Sequence, residues 1–166
     1  MSAYEKIERF RSAFESASST LTEKFTSYFD ENREVVEDEI VMQLRRGQMP
    51  DGSKIEPAYD NVYSTYAWMK RNDTRFSRYD LAERPYYTPN LGLTGNFYSG
   101  ITVVIEADAV SFTSTDSKWE HNIGDHDPLR TRYGDVLGLS AEYVDTTVKP
   151  AVKEAILADL RDKLGI

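Results

Sequence analysis

The feature that most constrains the fold is a string of short, ordered elements in the second half of the chain. Two segments rich in β-branched residues, Ile101–Glu106 and Val110–Ser114, are separated only by Ala107-Asp108-Ala109. This spacing predicts a tight antiparallel hairpin. Val136–Leu139 is a further short apolar run, which predicts a third strand. The string therefore favours a small sheet over a purely helical fold.

A helix is expected to follow that sheet, with Ser140 as its cap. The apolar row that predicts it advances in steps of four residues and consists of Val144, Val148, Val152, Ile156, Leu160 and Leu164. Pro150 interrupts the row, because proline lacks a backbone N–H. It is expected either to kink this helix or to begin a new one in its first turn.

The N-terminal quarter is predicted to be helical. A first apolar stripe consists of Tyr4, Ile7, Phe10, Phe14 and Ala17, and a second consists of Leu21, Phe25, Tyr28, Phe29, Asn32, Val36, Ile40 and Leu44. Thr20-Leu-Thr-Glu23 has the form of a capping box, which predicts a second helix start, and Gly47 predicts the stop. One long helix and a helix pair both satisfy these patterns. The expected fold is α+β, a single domain over 1–166 with these helices and the C-terminal helix packed on a small antiparallel sheet.

Charge and composition limit the partners. The net charge is −8, which argues against a protein that grips duplex DNA, since that requires clustered cations. Six carboxylates lie between Asp30 and Glu39 against the single cation Arg33. The preferred interpretation of these carboxylates is a solvated helix face. The alternative is an acidic surface that DNA passes without binding. The chain has no cysteine and no apolar run of about 18 residues, so neither thiol chemistry nor a membrane partner is expected.

The middle of the chain, residues 48–90, is interpreted as an aromatic-rich insertion or arm. Six of the eleven tyrosines lie between Tyr59 and Tyr87, where arginines alternate with the aromatic residues. A helix is predicted near residues 58–71 and a long loop over 72–90. Core packing and a stacking platform for sugars or bases are possible roles, but the arginines favour a protein interface. The interface candidates are Tyr59, Tyr63, Tyr66, Trp68, Arg71, Arg75, Arg78, Tyr86 and Tyr87.

One segment has the residue types of a catalytic or metal site, namely His121-Asn-Ile-Gly-Asp-His-Asp127. A polar loop is favoured there, because the histidines are five residues apart and no spaced metal motif is present. We therefore expect a protein that is not an enzyme, with no catalytic residue, no metal and no cofactor. Two alternatives stay open. One is a metal-dependent hydrolase using His121, Asp125, His126 and Asp127, and the other is a carbohydrate-binding module using Tyr59, Tyr63, Tyr66 and Trp68.

Taken in order, the motifs of the string resemble a family of structural virion proteins. Leu93-Thr94-Gly95 precedes a Ser-Gly-Ile step into the hairpin, Trp119, His121 and Gly124 follow it, and Leu137-Gly138-Leu139 precedes the terminal helix. This order is similar to that of the tail-completion, or neck, proteins of tailed bacteriophages, and it covers about half the chain. Gly134-Asp-Val136 stands where that family has Arg-Pro-Phe.

The resemblance implies a structural protein without catalysis that forms a homo-oligomeric ring at the phage neck or tail end. Such a ring joins the head connector to the tail, and DNA passes through it without specific binding. The implied partners are further copies of the chain and the neighbouring connector and tail proteins. The implied location is the virion, after synthesis in the host cytoplasm. A ring subunit needs two different faces that meet head to tail.

Overall fold

The computed structural model of the protein describes most of the chain. The residues it describes are 5–165 except 6, 9–10, 13–14, 59–64, 76–87, 93–94 and 123–126, with the backbone alone at 17–19 and 65–66. Its helices and strands are, in chain order, α1 (Ala17–Glu31), α2 (Arg33–Arg45), α3 (Thr65–Asn72), α4 (Asn96–Ser99), β1 (Ile101–Ile105), β2 (Val110–Ser114), α5 (Ser117–Glu120), α6 (Leu129–Tyr133), α7 (Ala141–Tyr143), a π-helical turn (Val144–Val148) and α8 (Lys149–Leu164).

Contacts along the chain divide it into two compact units. The first comprises residues 1–32, 105–110 and 142–166, and the second comprises residues 33–104 and 111–141. The expectation of a single domain over 1–166 stays a prediction. Among the described residues, no helix is both long enough and apolar enough to cross a membrane.

The α+β fold class is confirmed, with helices accompanying one small antiparallel sheet. The hairpin of β1 and β2 lies where its β-branched residues predict it. Two backbone bonds set its register, from Glu106 N to Ala109 O and from Thr115 N to Gly100 O, both near 2.9 Å. In this register Val103 lies opposite Phe112, and the N–H and C=O of Val103 face away from β2.

The predicted third strand at Val136–Leu139 is wrong. The sheet has two strands among the described residues, and 134–140 is irregular backbone. Val136 N donates to Gly134 O at 2.9 Å, which is a local turn and not a ladder bond. Gly134 has a φ of 62°, a left-handed value that a regular strand does not contain. The glycines before and within the run therefore prevent a strand, although the run itself is apolar.

The N-terminal quarter forms a helix pair that is interrupted at Asn32. The φ and ψ of Asn32 are −112° and 22°, and its side chain donates to Tyr28 O at 2.8 Å. Such local amide bonding competes with continued helix. The predicted start at Thr20 is wrong, because α1 begins earlier, at Ala17, and Thr20 lies inside it. The predicted stop is confirmed, since α2 ends at Arg45 and Gly47 has a φ of 70°.

The C-terminal helix accommodates Pro150 through a π-helical turn. Lys149 N donates to Val144 O, five residues earlier, and α8 then begins with Pro150 in its first turn. Proline has no N–H to donate, and its ring crowds the carbonyl four residues before it, so a wider turn relieves both problems. The helical segment begins at Ala141, directly after Ser140, as the sequence predicts.

Each unit has its own apolar core. In the first unit α1 packs against α8, and Phe29, Val148 and Val152 are buried. In the second unit the core includes the α2 row Val36, Ile40 and Leu44. Buried residues from the rest of that unit join it, namely Ile55, Ala67, Phe97, Tyr98, Ile101, Val103, Trp119, Tyr133 and Val136.

Helix α2 also covers the outer edge of β1 with two side chains. Arg33 Nη1 donates to Val103 O at 2.5 Å, and Val103 N donates to Glu37 Oε1 at 3.1 Å. Because Arg33 and Glu37 are four residues apart, they lie on one face of α2 and supply the donor and acceptor that a third strand would supply. We call this pair the edge clip. It provides hydrogen-bond partners for the backbone N–H and C=O of Val103, which is only 1% exposed.

Candidate interaction surface

Helix α3 presents the side chain of Trp68 to solvent. Trp68 is 57% exposed, whereas Ala67 and Lys70 on the same helix are 0% and 1% exposed. Exposed aromatic residues are enriched at protein interfaces, where they often contribute much of the binding free energy. Of the predicted interface residues, Trp68 is the one whose exposure most clearly fits that role.

The buried side of α3 is fixed by a polar cluster. Lys70 Nζ donates to Asn90 Oδ1, and the Tyr98 hydroxyl donates to Asn90 O. Gly92 N donates to the same Asn90 Oδ1 at 3.3 Å. Lys70, Asn90 and Tyr98 are all buried, and buried polar groups are stable only when they are bonded in this way. The cluster links α3 to the segment before α4, so the helix that carries Trp68 is anchored on its buried side.

The end of α3 carries a bidentate ion pair. Arg75 Nη2 lies 2.6 Å from Asp73 Oδ2, and Arg75 Nε lies 3.0 Å from Asp73 Oδ1. The side-chain hydrogen bond from Arg75 is the main reason that the pKa of Asp73 falls to about 2. The same bond raises the pKa of Arg75. The pair lies just beyond the helix, where the Arg75 side chain is 74% exposed.

The structure describes three of the predicted interface residues with their side chains, and two of them share one side of α3. Arg71 is half-buried and follows Trp68 by three residues, so both lie on one side of α3. Tyr66 lies in the helix, but its side chain is outside the described part of the structure. Tyr59, Tyr63, Arg78, Tyr86 and Tyr87 also lie outside the described residues. The described surface consequently comprises Trp68, Arg71 and Arg75, and we call it the tryptophan face.

A second exposed apolar residue lies on α2. Val35 is 58% exposed, although Val36 beside it is fully buried. Asp38 and Glu39 follow Val35 by three and four residues and therefore share its side of the helix. Glu34, which precedes it, is exposed as well. We call Val35, Asp38 and Glu39 the acidic face. The predicted apolar stripe contains Val36 and not Val35, but the sequence does not indicate any role for Val35.

The described motif positions of the string lie where the chain turns or packs. Gly95 has a φ of 88° directly before α4, a conformation that favours glycine. Trp119 is buried, with its ring centroid 5.6 Å from that of Phe97. Gly138 O accepts from Gln43 Nε2 at 3.2 Å, and a Cβ on Gly138 would lie 2.9 Å from Pro50 Cγ. Leu137 and Leu139 are half-buried beside it. Leu93, Thr94 and Gly124 lie outside the described residues.

The histidine-containing segment is described only at its ends. His121 and Asp127 are exposed, whereas Asp125 and His126 lie outside the described residues. Within the part of the chain that is described, no group of three or more histidine, cysteine or acidic side chains is placed to hold a metal ion. The neighbouring Glu120 pairs with Arg130 at 2.9 Å, which links α5 to α6.

No protein-family model, no curated protein and no solved structure matches this chain. The functional interpretation therefore depends on the residues themselves. Two residue sets were not predicted from the sequence, the edge clip of Arg33 and Glu37 and the buried Lys70–Asn90 pair. The partners of each are far apart in sequence, at separations of 70 and 66 residues for the clip and 20 for the pair, so no local pattern could indicate them.

Proposed function

We propose that this chain is a structural subunit of a tailed-phage virion. In this proposal it oligomerises into a ring at the neck or tail end, where it joins the head connector to the tail around the DNA channel. It has no catalytic role and no cofactor. The observation that carries the proposal is the exposed Trp68 on a firmly anchored helix, together with the ordered motifs that resemble the tail-completion family.

The motif order supports the proposal through what the described residues do. Gly95 enters α4 and the hairpin, Trp119 packs on Phe97 after the hairpin, and Gly138 packs on Pro50 before the terminal helix. A shared scaffold would preserve residues of this kind, because glycine at a left-handed or crowded position and tryptophan in a core are hard to replace. The motifs thus behave as parts of a framework.

The tryptophan face supports a role in assembly. Aromatic and arginine side chains contribute most of the binding free energy in many interfaces. Trp68 is large and exposed, Arg71 follows it by three residues on α3, and Arg75 lies three residues beyond the end of that helix. A ring subunit needs such a surface for its neighbour, and a protein that works alone does not.

The charge balance is consistent with a channel that DNA traverses. A net charge of −8 gives little attraction to phosphate, so a passing duplex is not retained. Screening over about 8 Å at physiological salt confines the repulsion to the surface that DNA approaches. The proposal accordingly includes DNA as a passing molecule and not as a ligand.

Native mass spectrometry with the purified head connector tests this proposal. The protein is expected to be monomeric or polydisperse alone and to form a ring of defined stoichiometry when the connector is added. Trp68→Ser is the informative variant, and Leu21→Glu on α1 is its control, because Leu21 is also exposed, at 50%. The absence of any association at micromolar concentration, for wild type and control alike, would contradict the proposal.

A further inference from the structure

We propose that Lys70 and Asn90 become joined by an intramolecular isopeptide bond, which cross-links α3 to the segment before α4. The bond is an amide between the Nζ atom of Lys70 and the Cγ atom of Asn90. This inference does not rest on the proposed function, because it concerns chemistry inside a single copy of the chain. Three observations carry it: the burial of both side chains, the contact between them, and the groups that surround the asparagine.

The amine of Lys70 lies in the core of its unit. Lys70 is 1% exposed, and it is the largest side chain with less than 2% exposure in the described part of the chain. Lysine is seldom buried to this extent, because its ammonium group loses its hydration there. Loss of hydration favours the neutral amine, which is the form that attacks a carbonyl carbon. The position of Lys70 therefore suits a nucleophile.

The carboxamide of Asn90 is oriented by N–H donors. Lys70 Nζ and Gly92 N both donate to Asn90 Oδ1, the second at 3.3 Å. Because both groups are donors, they identify the oxygen of the carboxamide, and the Nδ2 atom lies on its other side. The Tyr98 hydroxyl donates to the backbone oxygen of Asn90, and Asn90 itself is 0% exposed. The carbonyl group beside the lysine amine is thus held on both its side-chain and its backbone side.

These contacts meet two requirements of acyl transfer. A hydrogen bond to Oδ1 brings Lys70 Nζ close to the Cγ atom that carries this oxygen, and reacting atoms in such proximity need no encounter from solution. The N–H of Gly92 points at the same oxygen, where negative charge develops as the amine attacks. The reaction has to occur only once in each molecule. Fixed geometry can therefore be sufficient even where the chemical step is slow.

The bond forms with loss of ammonia. One C–N bond forms, between Lys70 Nζ and Asn90 Cγ, and one breaks, between Asn90 Cγ and Nδ2. In the tetrahedral intermediate both nitrogens are attached to Cγ, so protons pass from Nζ to Nδ2. Starting from the lysine ammonium, two protons are transferred, Nδ2 leaves as an ammonium ion, and the new amide keeps one N–H. The step consumes no oxidant, reductant or second reactant, and exclusion of water protects the buried amide from hydrolysis.

Mass spectrometry of the intact, full chain tests the cross-link. The folded wild type, purified and then incubated, is expected to be lighter than its sequence mass by about 17 Da, the mass of ammonia. Trypsin should then release one branched peptide that joins the segments containing Lys70 and Asn90, because an acylated lysine is not a cleavage site. A full sequence mass of the folded wild type would overturn the proposal, and this outcome does not depend on whether any variant folds.

Two variants distinguish the cross-link from other losses of ammonia. Lys70→Arg keeps the cation but has no amine to acylate, and Asn90→Ala removes the carbonyl carbon, so both are expected to have their full sequence mass. Lys149→Arg is the matched control, since the Lys149 side chain is 70% exposed on α8, and it should keep the loss. Cyclisation of Asn90 onto its own backbone also releases ammonia but does not need Lys70. A loss that persists in Lys70→Arg, or a digest without the branched peptide, would contradict the isopeptide bond.

Discussion

The two tryptophans of this chain occupy opposite environments. Trp119 is 4% exposed and packs on Phe97, whereas Trp68 is 57% exposed on α3. Both lie in the same compact unit, and both follow a helix start by a few residues. The difference in exposure assigns Trp119 to the folded core, and it agrees with the proposed role of Trp68 in contact with a partner. This separation can be tested one residue at a time.

The largest expected effect comes from truncating the two tryptophans in parallel. Trp119→Ala should lower the free energy of unfolding by about 3–5 kcal/mol, because it removes a buried aromatic ring and leaves a cavity. Trp68→Ala should change it by less than about 0.5 kcal/mol, as exposed substitutions usually do. Urea denaturation followed by circular dichroism measures both. Equal losses would remove the distinction between the two residues.

A smaller effect is expected at Gly92, in the segment between α3 and α4. A Cβ on Gly92 would lie 2.5–2.6 Å from atoms of the Tyr98 ring, so Gly92→Ala must displace the ring or the backbone. Overpacking of this kind costs about 1–3 kcal/mol. It would also disturb the Lys70–Asn90 cluster that supports Trp68. Thermal and urea unfolding measure the loss, with the exposed Asn96→Ala as control, and an unchanged stability would show that Tyr98 moves freely.

Loss of the edge clip is expected to lower the free energy of unfolding by a similar amount. Glu37→Ala leaves the buried N–H of Val103 without its acceptor, which costs about 1–3 kcal/mol. Glu37→Gln keeps an acceptor oxygen and should recover part of that loss. Glu34→Ala is the matched control, because Glu34 is exposed on the same helix. Amide hydrogen exchange at Val103 reports the bond directly, and equal exchange in wild type and Glu37→Ala would show that the clip does not protect β1.

The smallest effect concerns the ion pair that ends α3. Because the pKa of Asp73 is about 2 in the folded chain and 3.8 ordinarily, its pairing stabilises the fold above about pH 4. That contribution disappears as the pH falls toward 2, since the carboxylate is then protonated. NMR titration of the Asp73 carboxyl carbon measures the midpoint, and Arg75→Gln should move it back toward 3.8. A midpoint near 3.8 in the wild type would mean that the pair is not formed in solution.

The sequence predicted the elements that depend on local patterns. The hairpin follows from β-branched runs around a short turn, and the stop of α2 follows from Gly47. The third strand failed because glycines interrupt the apolar run at Val136–Leu139, with Gly134 before it at a φ of 62° and Gly138 within it. The start at Thr20 failed because a capping-box pattern inside a longer helix has no free N–H groups to satisfy.

The candidate surface was predictable only in part. Interleaved aromatic and arginine residues indicated the region around Trp68, but they did not indicate which of its aromatic residues are exposed. Exposure depends on the anchoring of α3 through Lys70 and Asn90, and a lysine in a helix is ordinarily expected in water. Val35 was not predicted as part of a surface; the apolar stripe placed Val36 in the core, as observed, but an exposed valine has no local pattern that indicates a role.

The most direct test of the central claim is fluorine NMR of the protein labelled with 5-fluorotryptophan, which gives one signal for each of the two tryptophans. Trp68→Phe assigns the signals. The account predicts that a soluble paramagnetic agent broadens the Trp68 signal in the free protein and spares Trp119. On addition of the connector, Trp68 should shift and become protected while Trp119 stays in place. Protection of Trp68 in the free protein, or no change of its signal in a formed complex, would contradict the account.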